Sequence, residues 1–434
     1  MRSKIVIGLV LLLCVFAVFA LGQIYHQLVA AYEEVGTLSD SEYSWCFRLL
    51  LNLIGYSTVL LPCYVLYKYL ERTKYFDKIT NQTWVSRTLF ACFHEQERLP
   101  ESVKPAKGEE SPQREGLELA FCFTGLMGAY LVWGLLQEKI MTQNYEMADG
   151  SLVRFHDSQF LVFINRLLGF AIALARLLCS GQRVLAAPLY KFSYCSLTNI
   201  VSAWCQYEAL KYVSFPTQVL SKSCKVIPVM LMGKLISRNK YEPYEYGTAL
   251  LISVGMMLFM FGSHDQPAGT HALKKYRMED QAWGAPGAAG AALLALYLCC
   301  DGFTAAWQGA LFRRHALRPL QMLCGVNLCS CALAAAAHTP PAPRLLQHPM
   351  FVTDCALLSV SSALGQLLIY RTIARFGPVV FTIIMTLRQA VSILLSCAVF
   401  GHAVSGAGVL GVLLVFGAVL LRVRCRRKPQ PQPA

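Results

Sequence analysis

Arg166, Glu208, Lys222, Lys225, Asp301 and Arg388 each fall in the middle of a long apolar stretch. An ionisable group at bilayer depth costs several kcal/mol, so by default it marks a solute pathway or a buried partner. Four of the six are cations, and a cavity lined by them is positive and suits an anion. Lys222 and Lys225 stand three positions apart, which on a helix puts them on one face. Like charges so placed repel, and an anion of high charge between them relieves the repulsion. The competing reading has one lysine snorkelling to the membrane surface while the other pairs with Glu208. Arg388 lies near the centre of PVVFTIIMTLRQAVSILLS (378–396), where its guanidinium offers a forked, permanently charged grip on phosphate or sulfate. The alternative is a buried pair with Asp301. Arg166, in Asn165-Arg166, has the same chemistry and an equally good role at a helix interface. Asp301 and Glu208 repel phosphate, so they orient cations or accept a bond from a ribose hydroxyl.

Aromatic and amide side chains in the same stretches have the chemistry to stack on a purine and hydrogen-bond its edge. They are Trp204, Gln206, Tyr207, Trp307, Gln308, Gln366 and Tyr370. Packing and interhelical hydrogen bonding is the simpler role for most of them. Gln206, Tyr207 and Gln366 are the three singled out as substrate contacts.

The elements that position these residues are membrane helices. Of 434 residues, 55% are hydrophobic and 15% charged, with a mean hydropathy of +0.45. A span needs about 20 mostly apolar residues, and that length recurs along the chain. Ten core spans are expected at 115–138, 157–179, 192–213, 216–237, 244–263, 285–311, 319–337, 351–374, 377–399 and 405–423. Ahead of them come residues 1–22, a signal peptide or first membrane anchor with a cleavage-like Val18 and Ala20, and an extra span within 44–70. Residues 71–114 are polar, rich in Pro, Glu and Lys, and read as a mobile loop. The fold class is thus all-α and polytopic, a ten-helix core with one or two extra N-terminal helices.

The net charge of +14 has a membrane explanation: cations collect in cytoplasmic loops and line an anion path, so no nucleic-acid partner is implied. Placing the basic run 422–428 and the 424–434 tail in the cytoplasm puts the short basic loops near Arg183, Arg238, Arg313 and Arg371 there too. The 17 cysteines show no Cys-x-x-Cys or Cys/His zinc spacing, which argues against metal or redox chemistry. Gln206-x4-Lys211-x3-Phe215-Pro216 recurs as Gln366-x4-Arg371-x4-Phe376-Gly377-Pro378. Five spans separate the copies, and an odd-numbered repeat inverts topology, the architecture of a rocking transporter. The repeats are expected at 115–263 and 285–423.

Three segments carry a family resemblance: FPTQVLSKSCKVIPVMLMGKL (215–235), DGFTAAWQGALF (301–312) and SALGQLLIYRTIARFGPVVFTIIMTLRQA (362–390). With them the chain resembles the B subgroup of nucleotide-sugar transporters in the drug/metabolite transporter superfamily, over about 115–425. The resemblance implies a core of two inverted five-helix repeats, with the family's basic positions falling on Lys222, Lys225 and Arg388. Within the subgroup, 202–220 and 379–397 are similar to carriers of 3′-phosphoadenosine 5′-phosphosulfate (PAPS) rather than of UDP-galactose. What this implies is import of PAPS from the cytosol into the Golgi lumen for sulfation, in exchange for an adenosine phosphate. PAPS carries about four negative charges near neutral pH, which suits a surplus of Lys and Arg. The sequence departs from the family pattern at the extreme N-terminus, in 71–114 and in 332–343.

No cofactor and no metal are expected, the setting is the Golgi membrane, and homo-oligomerisation stays open. A UDP- or GDP-sugar carrier is the nearest alternative. A membrane-embedded transferase is the other-class alternative, although the chain has no Asp-x-Asp, no His-x4-Asp, and Gly233-Lys234 is followed by Leu235 rather than Ser or Thr. The sequon Asn81-Gln82-Thr83 falls on the cytoplasmic side of this topology. It is therefore expected to stay unmodified, so endoglycosidase treatment of the cell-expressed protein should leave its electrophoretic mobility unchanged.

Overall fold

Proline sets many of the helix starts. Pro112, Pro243, Pro319, Pro349 and Pro378 each open a helix, where a missing N–H costs nothing because the first turn's donors have no intrahelical acceptor. A computed structural model describes residues 2–34, 44–76, 84–94, 112–142, 144–146, 152–154, 158–182, 184, 186–209, 212, 221–222, 224–238, 241–264, 285–337, 348–400 and 406–426. Asn81 and Lys211 lie outside the described residues.

The first helices are α1 (Arg2–Glu34), α2 (Ser44–Arg72) and the short α3 (Trp84–Phe93). The ten core helices follow as α4 (Pro112–Thr142), α5 (Ser158–Cys179), α6 (Leu189–Ala209), α7 (Val226–Ser237), α8 (Pro243–His264), α9 (Ala285–His315), α10 (Pro319–Ala337), α11 (Pro349–Phe376), α12 (Pro378–Phe400) and α13 (Gly406–Arg426). Most overrun the expected spans by a few residues, because hydropathy marks the lipid-facing length and not the end of the hydrogen-bond ladder.

Three differences from the sequence expectation stand out. A two-stranded antiparallel hairpin, β1 (Asn144–Glu146) and β2 (Leu152–Arg154), joins α4 to α5. The amphipathic α3 interrupts the polar 71–114 stretch, burying Leu89 against Leu66 and Leu70 of α2. The fourth core span is broken among its described residues: Ser221 and Lys222 are helical, Cys224 and Lys225 form turns, and a 12-residue helix follows.

α1 runs straight through the cleavage-like Ala20 and packs on α2. The Tyr25 ring lies against Gly55, and the Cys14 thiol donates to the carbonyl of Pro62 at 3.8 Å. Its outer face carries Leu12, Val15, Phe16 and Phe19, all exposed, as lipid contact requires. Among the described residues five helical segments are long and apolar enough to cross a bilayer: Gly8–Leu28, Trp45–Arg72, Gln113–Leu136, Ala288–His315 and Pro349–Phe376.

The chain divides into two compact units. The first comprises Met1–Glu118, Thr124–Leu197 and His315–Tyr370. Within it α5 packs on α10, and α2 also packs on α10. The Lys139 ammonium donates to Asp354 at 2.9 Å, and the Tyr145 hydroxyl donates to the other carboxylate oxygen at 3.4 Å. These bonds fasten the hairpin to the start of α11 over a core of Ile140, Leu161, Phe351 and Leu358. The second unit comprises Leu119–Phe123, Thr198–Arg314 and Arg371–Ala434. There α7 packs on α12, α8 on α13, and Val226, Met230, Ile252, Ala305, Val379 and Ile383 form the core.

In each of the pairs α5/α10, α7/α12 and α8/α13 the partners are five core helices apart, which is the pairing two five-helix repeats require. Lipid supplies no hydrophobic force between helices, so close backbone approach does the holding. At the α8/α13 contact a Cβ on Gly255 would stand 2.9 Å from the Gly411 carbonyl oxygen. Gly255→Val is therefore expected to cost about 1–3 kcal/mol through overpacking, read as a lower melting temperature in detergent. Gly247→Ala, on the same helix with nothing within 4 Å, should be neutral or slightly stabilising.

Candidate functional site

The two lysines lie on either side of a helix break: Ser221 and Lys222 are helical, Cys224 and Lys225 form turns, and α7 begins at Val226. The amide of Cys224 donates to Ser221 O at 3.1 Å, that of Lys225 to Lys222 O at 3.3 Å, and that of Ile227 to Cys224 O at 3.2 Å. Only at Val229 N to Lys225 O, 3.2 Å, does the α-helical pattern set in. Lys222 and Lys225 therefore do not sit on one regular helix as expected. The i→i+3 pattern is that of a 3₁₀ turn, in which residues three apart eclipse, so the pair still shares a side. Pro228 explains the tight start: it lies in the first turn of α7, where a missing N–H is tolerated. In membrane proteins such breaks are found where backbone is buried in protein or lines a cavity, and discontinuous helices with their positive N-terminal ends receive anionic groups.

Two further helices of the same unit complete the cluster. On α9, Asp301 forms an ion pair with Lys225. On α12, the Phe381 ring centroid lies 5.9 Å from the Lys225 Nζ. Phe381 and Arg388 are seven residues apart, hence on one face of α12, and Lys222 is within Coulombic reach of Lys225, Asp301 and Arg388. Among the described groups, Lys222 thus stands in the field of two cations and one carboxylate. The Lys225 and Asp301 side chains keep 16% and 25% of their surface, so the pair is half-buried, with the Asp301 Oδ2 itself buried.

Helix approach makes the ion pair possible. A Cβ on Gly302 would stand 3.0 Å from the carbonyl carbon of Pro228, so α9 runs against the first turn of α7 and carries Asp301 to Lys225. Thr198 and Thr304 hydroxyls meet at 2.7 Å, and the Ser202 hydroxyl donates to Tyr297 O at 3.4 Å, which fixes α6 on the same stretch of α9.

The structure therefore brings together four of the eight expected contacts: Lys222, Lys225, Asp301 and Arg388. Lys225 takes Asp301, a pairing that the expected alternatives, Glu208 for a lysine and Arg388 for Asp301, did not include. Gln206 is half-buried on α6 of the same unit, whereas the Tyr207 side chain lies outside the described residues. Arg166 and Gln366 belong to the first unit. The Arg166 guanidinium donates to Asn327 Oδ1 at 3.3 Å, joining α5 to α10. The Gln366 amide donates to Ser362 Oγ at 3.4 Å within its own helix. Sequence reasoning missed Phe381 and Gly302. The seven-residue spacing of Phe381 to Arg388, and the Asp-Gly dipeptide itself, were the available signals.

The profile of the UAA transporter family matches residues 118–426. Adenosine 3′-phospho 5′-phosphosulfate transporter 1 of Drosophila melanogaster is 47% identical, covering 94% of this chain and 89% of that protein. The Homo sapiens protein of the same name is 44% identical, with 88% of each chain covered. UDP-galactose/UDP-glucose transporter 5 of Arabidopsis thaliana is 37% identical over 77% of this chain and 94% of its own.

Because Gly302 sets the distance between α7 and α9, Gly302→Val is expected to lower the melting temperature and to part Lys225 from Asp301. A double-mutant cycle reads the parting: Lys225→Gln should change thermal stability less in the Gly302→Val background than in the native protein.

Proposed function

The chain belongs to the UAA transporter family, and we propose that it carries PAPS from the cytosol into the Golgi lumen in exchange for an adenosine phosphate. The observation that carries this reading is the ion pair of Lys225 with Asp301 and the placement of Lys222 within Coulombic reach of both and of Arg388. A surplus of positive charge at membrane depth calls for a multiply charged anion, and PAPS brings about four negative charges. A UDP-sugar brings about two, from its pyrophosphate, and matches the surplus less well. The names of the most similar relatives support the same choice.

In the proposed cycle the phosphates and sulfate meet Lys222, Lys225 and Arg388, and rocking of helices about the site exposes the solute to the lumen. Gln206 and Tyr207 are assigned to the nucleoside. Arg166 and Gln366 are assigned to the same pathway, where Arg166 remains tied to Asn327 at rest. An emptied site carrying three cations is costly to reorient, so a departing adenosine bisphosphate completes the cycle. The basic C-terminal tail lies in the cytosol in this topology, the protein acts without a cofactor, and no catalytic step is involved.

Uptake of labelled PAPS into proteoliposomes tests the reading. Uptake should saturate, accelerate when the vesicles hold adenosine 3′,5′-bisphosphate, and yield to unlabelled PAPS at lower concentrations than to UDP-galactose. Each of Lys222→Gln and Arg388→Gln removes one charge-assisted contact, worth about ten- to hundredfold in apparent affinity. Uptake indifferent to both substitutions rejects the site, and fast uptake into nucleotide-free vesicles rejects obligatory exchange.

A further inference from the structure

We propose that Asp301 is the carrier's own substitute for the charge of its substrate: in the empty protein it occupies Lys225, and an entering phosphate or sulfate must displace it. The inference rests on the anion-carrier reading above.

Two of the described ion pairs, one in each unit, are built differently. In the first unit the Asp354 side chain keeps 6% of its surface against 39% for Lys139, and the carboxylate is held by both Lys139 and Tyr145, one on each oxygen. A pair built in that way holds helices together. In the second unit Asp301 retains 25% and Lys225 16%. The carboxylate sits where it screens one cation of three, at the start of a half-helix whose N-terminal end favours anions. Carboxylate, phosphate and sulfate offer a lysine the same kind of oxygen acceptor, so one can replace another on Lys225 without moving the lysine far. The Phe381 ring centroid lies 5.9 Å from the Lys225 Nζ.

The consequences for transport are opposite in sign to those of a structural aspartate. A resident carboxylate weakens substrate binding, because each binding event must part it from Lys225. It also lowers the charge of the empty site, which makes return of the empty carrier less costly. Asp301 is accordingly a positioning residue for Lys225 that trades affinity against the tightness of exchange.

The test is a cycle of the native protein, Asp301→Asn, Lys225→Gln and the double variant, full-length and purified. PAPS binding is measured by ligand-induced melting shifts, and exchange and net uptake are compared in proteoliposomes. Asp301→Asn should bind PAPS about tenfold or more tightly and show a higher ratio of exchange to net uptake. In the Lys225→Gln background the same change should alter binding about threefold or less, because its intermediary is gone. Asp301→Asn that binds PAPS no more tightly than the native protein overturns the proposal. So does an effect of equal size in both backgrounds.

Should Asp301→Asn alone fail to fold, the neutral pair Lys225→Gln/Asp301→Asn compared with Lys225→Gln decides. A difference of about threefold or less supports the proposal and about tenfold or more overturns it. If UDP-galactose and not PAPS shifts the melting of the native protein, the substrate reading falls. The role of Asp301 is then judged by the same cycle read with UDP-galactose.

Discussion

A cation away from water must find an anion, and the way Lys225 does so governs the arrangement around it. Its ion pair with Asp301 demands that α9 approach the first turn of α7 at its middle. That approach demands a residue without a side chain at Gly302, because the opposing surface is the Pro228 backbone. Pro228 in turn belongs to the tight turns by which α7 begins. A longer, regular helix through this region would turn the lysines differently. Charge, backbone break and glycine contact are therefore one constraint seen at three levels.

The two units answer the problem of polar groups in lipid in different ways. The first seals or shares them: Asp354 between Lys139 and Tyr145, Arg166 on Asn327, and the Ser359 hydroxyl on Asn165 at 2.7 Å. The second holds the Lys225 pair half-buried, with Lys222 in Coulombic reach of it and of Arg388. Sealed pairs suit a scaffold, and a half-buried surplus of one sign suits a solute that supplies the missing charge. The contrast gives physical content to the division of labour expected of a carrier, in which rigid helices hold a responsive site.

The pairing of α5 with α10, α7 with α12 and α8 with α13 extends the short echo between Gln206–Pro216 and Gln366–Pro378. In the second copy Gly377 adopts a φ of 87° and donates its amide to Ile373 O at 3.0 Å, closing α11 one residue before Pro378 opens α12. A left-handed residue is nearly free for glycine, which explains the Gly-Pro dipeptide at this junction. An aromatic-proline signature thus marks a helix boundary, although only the folded chain shows which helices meet.

Much of this protein was legible in the amino-acid order because the bilayer is a severe solvent. Lipid forces apolar spans of a set length, so the helices and the depth of Lys222, Lys225, Asp301 and Arg388 follow from composition along the chain. The same order marked the proline starts and the odd-numbered repeat. It could not choose among partners. A lysine was given Glu208, Asp301 was given Arg388, and Arg166 had a ligand or a neighbour, since the distances are set by interhelical packing through contacts such as Gly302 on Pro228. Nor could hydropathy show the break between Lys222 and Val226, because a broken and a regular span are equally apolar. The tertiary structure decided those points, as it decided that Arg166 and Gln366 fall in a different unit from the lysines. The physical reason is that side-chain chemistry is local, whereas pairing energy depends on distances that only packing sets.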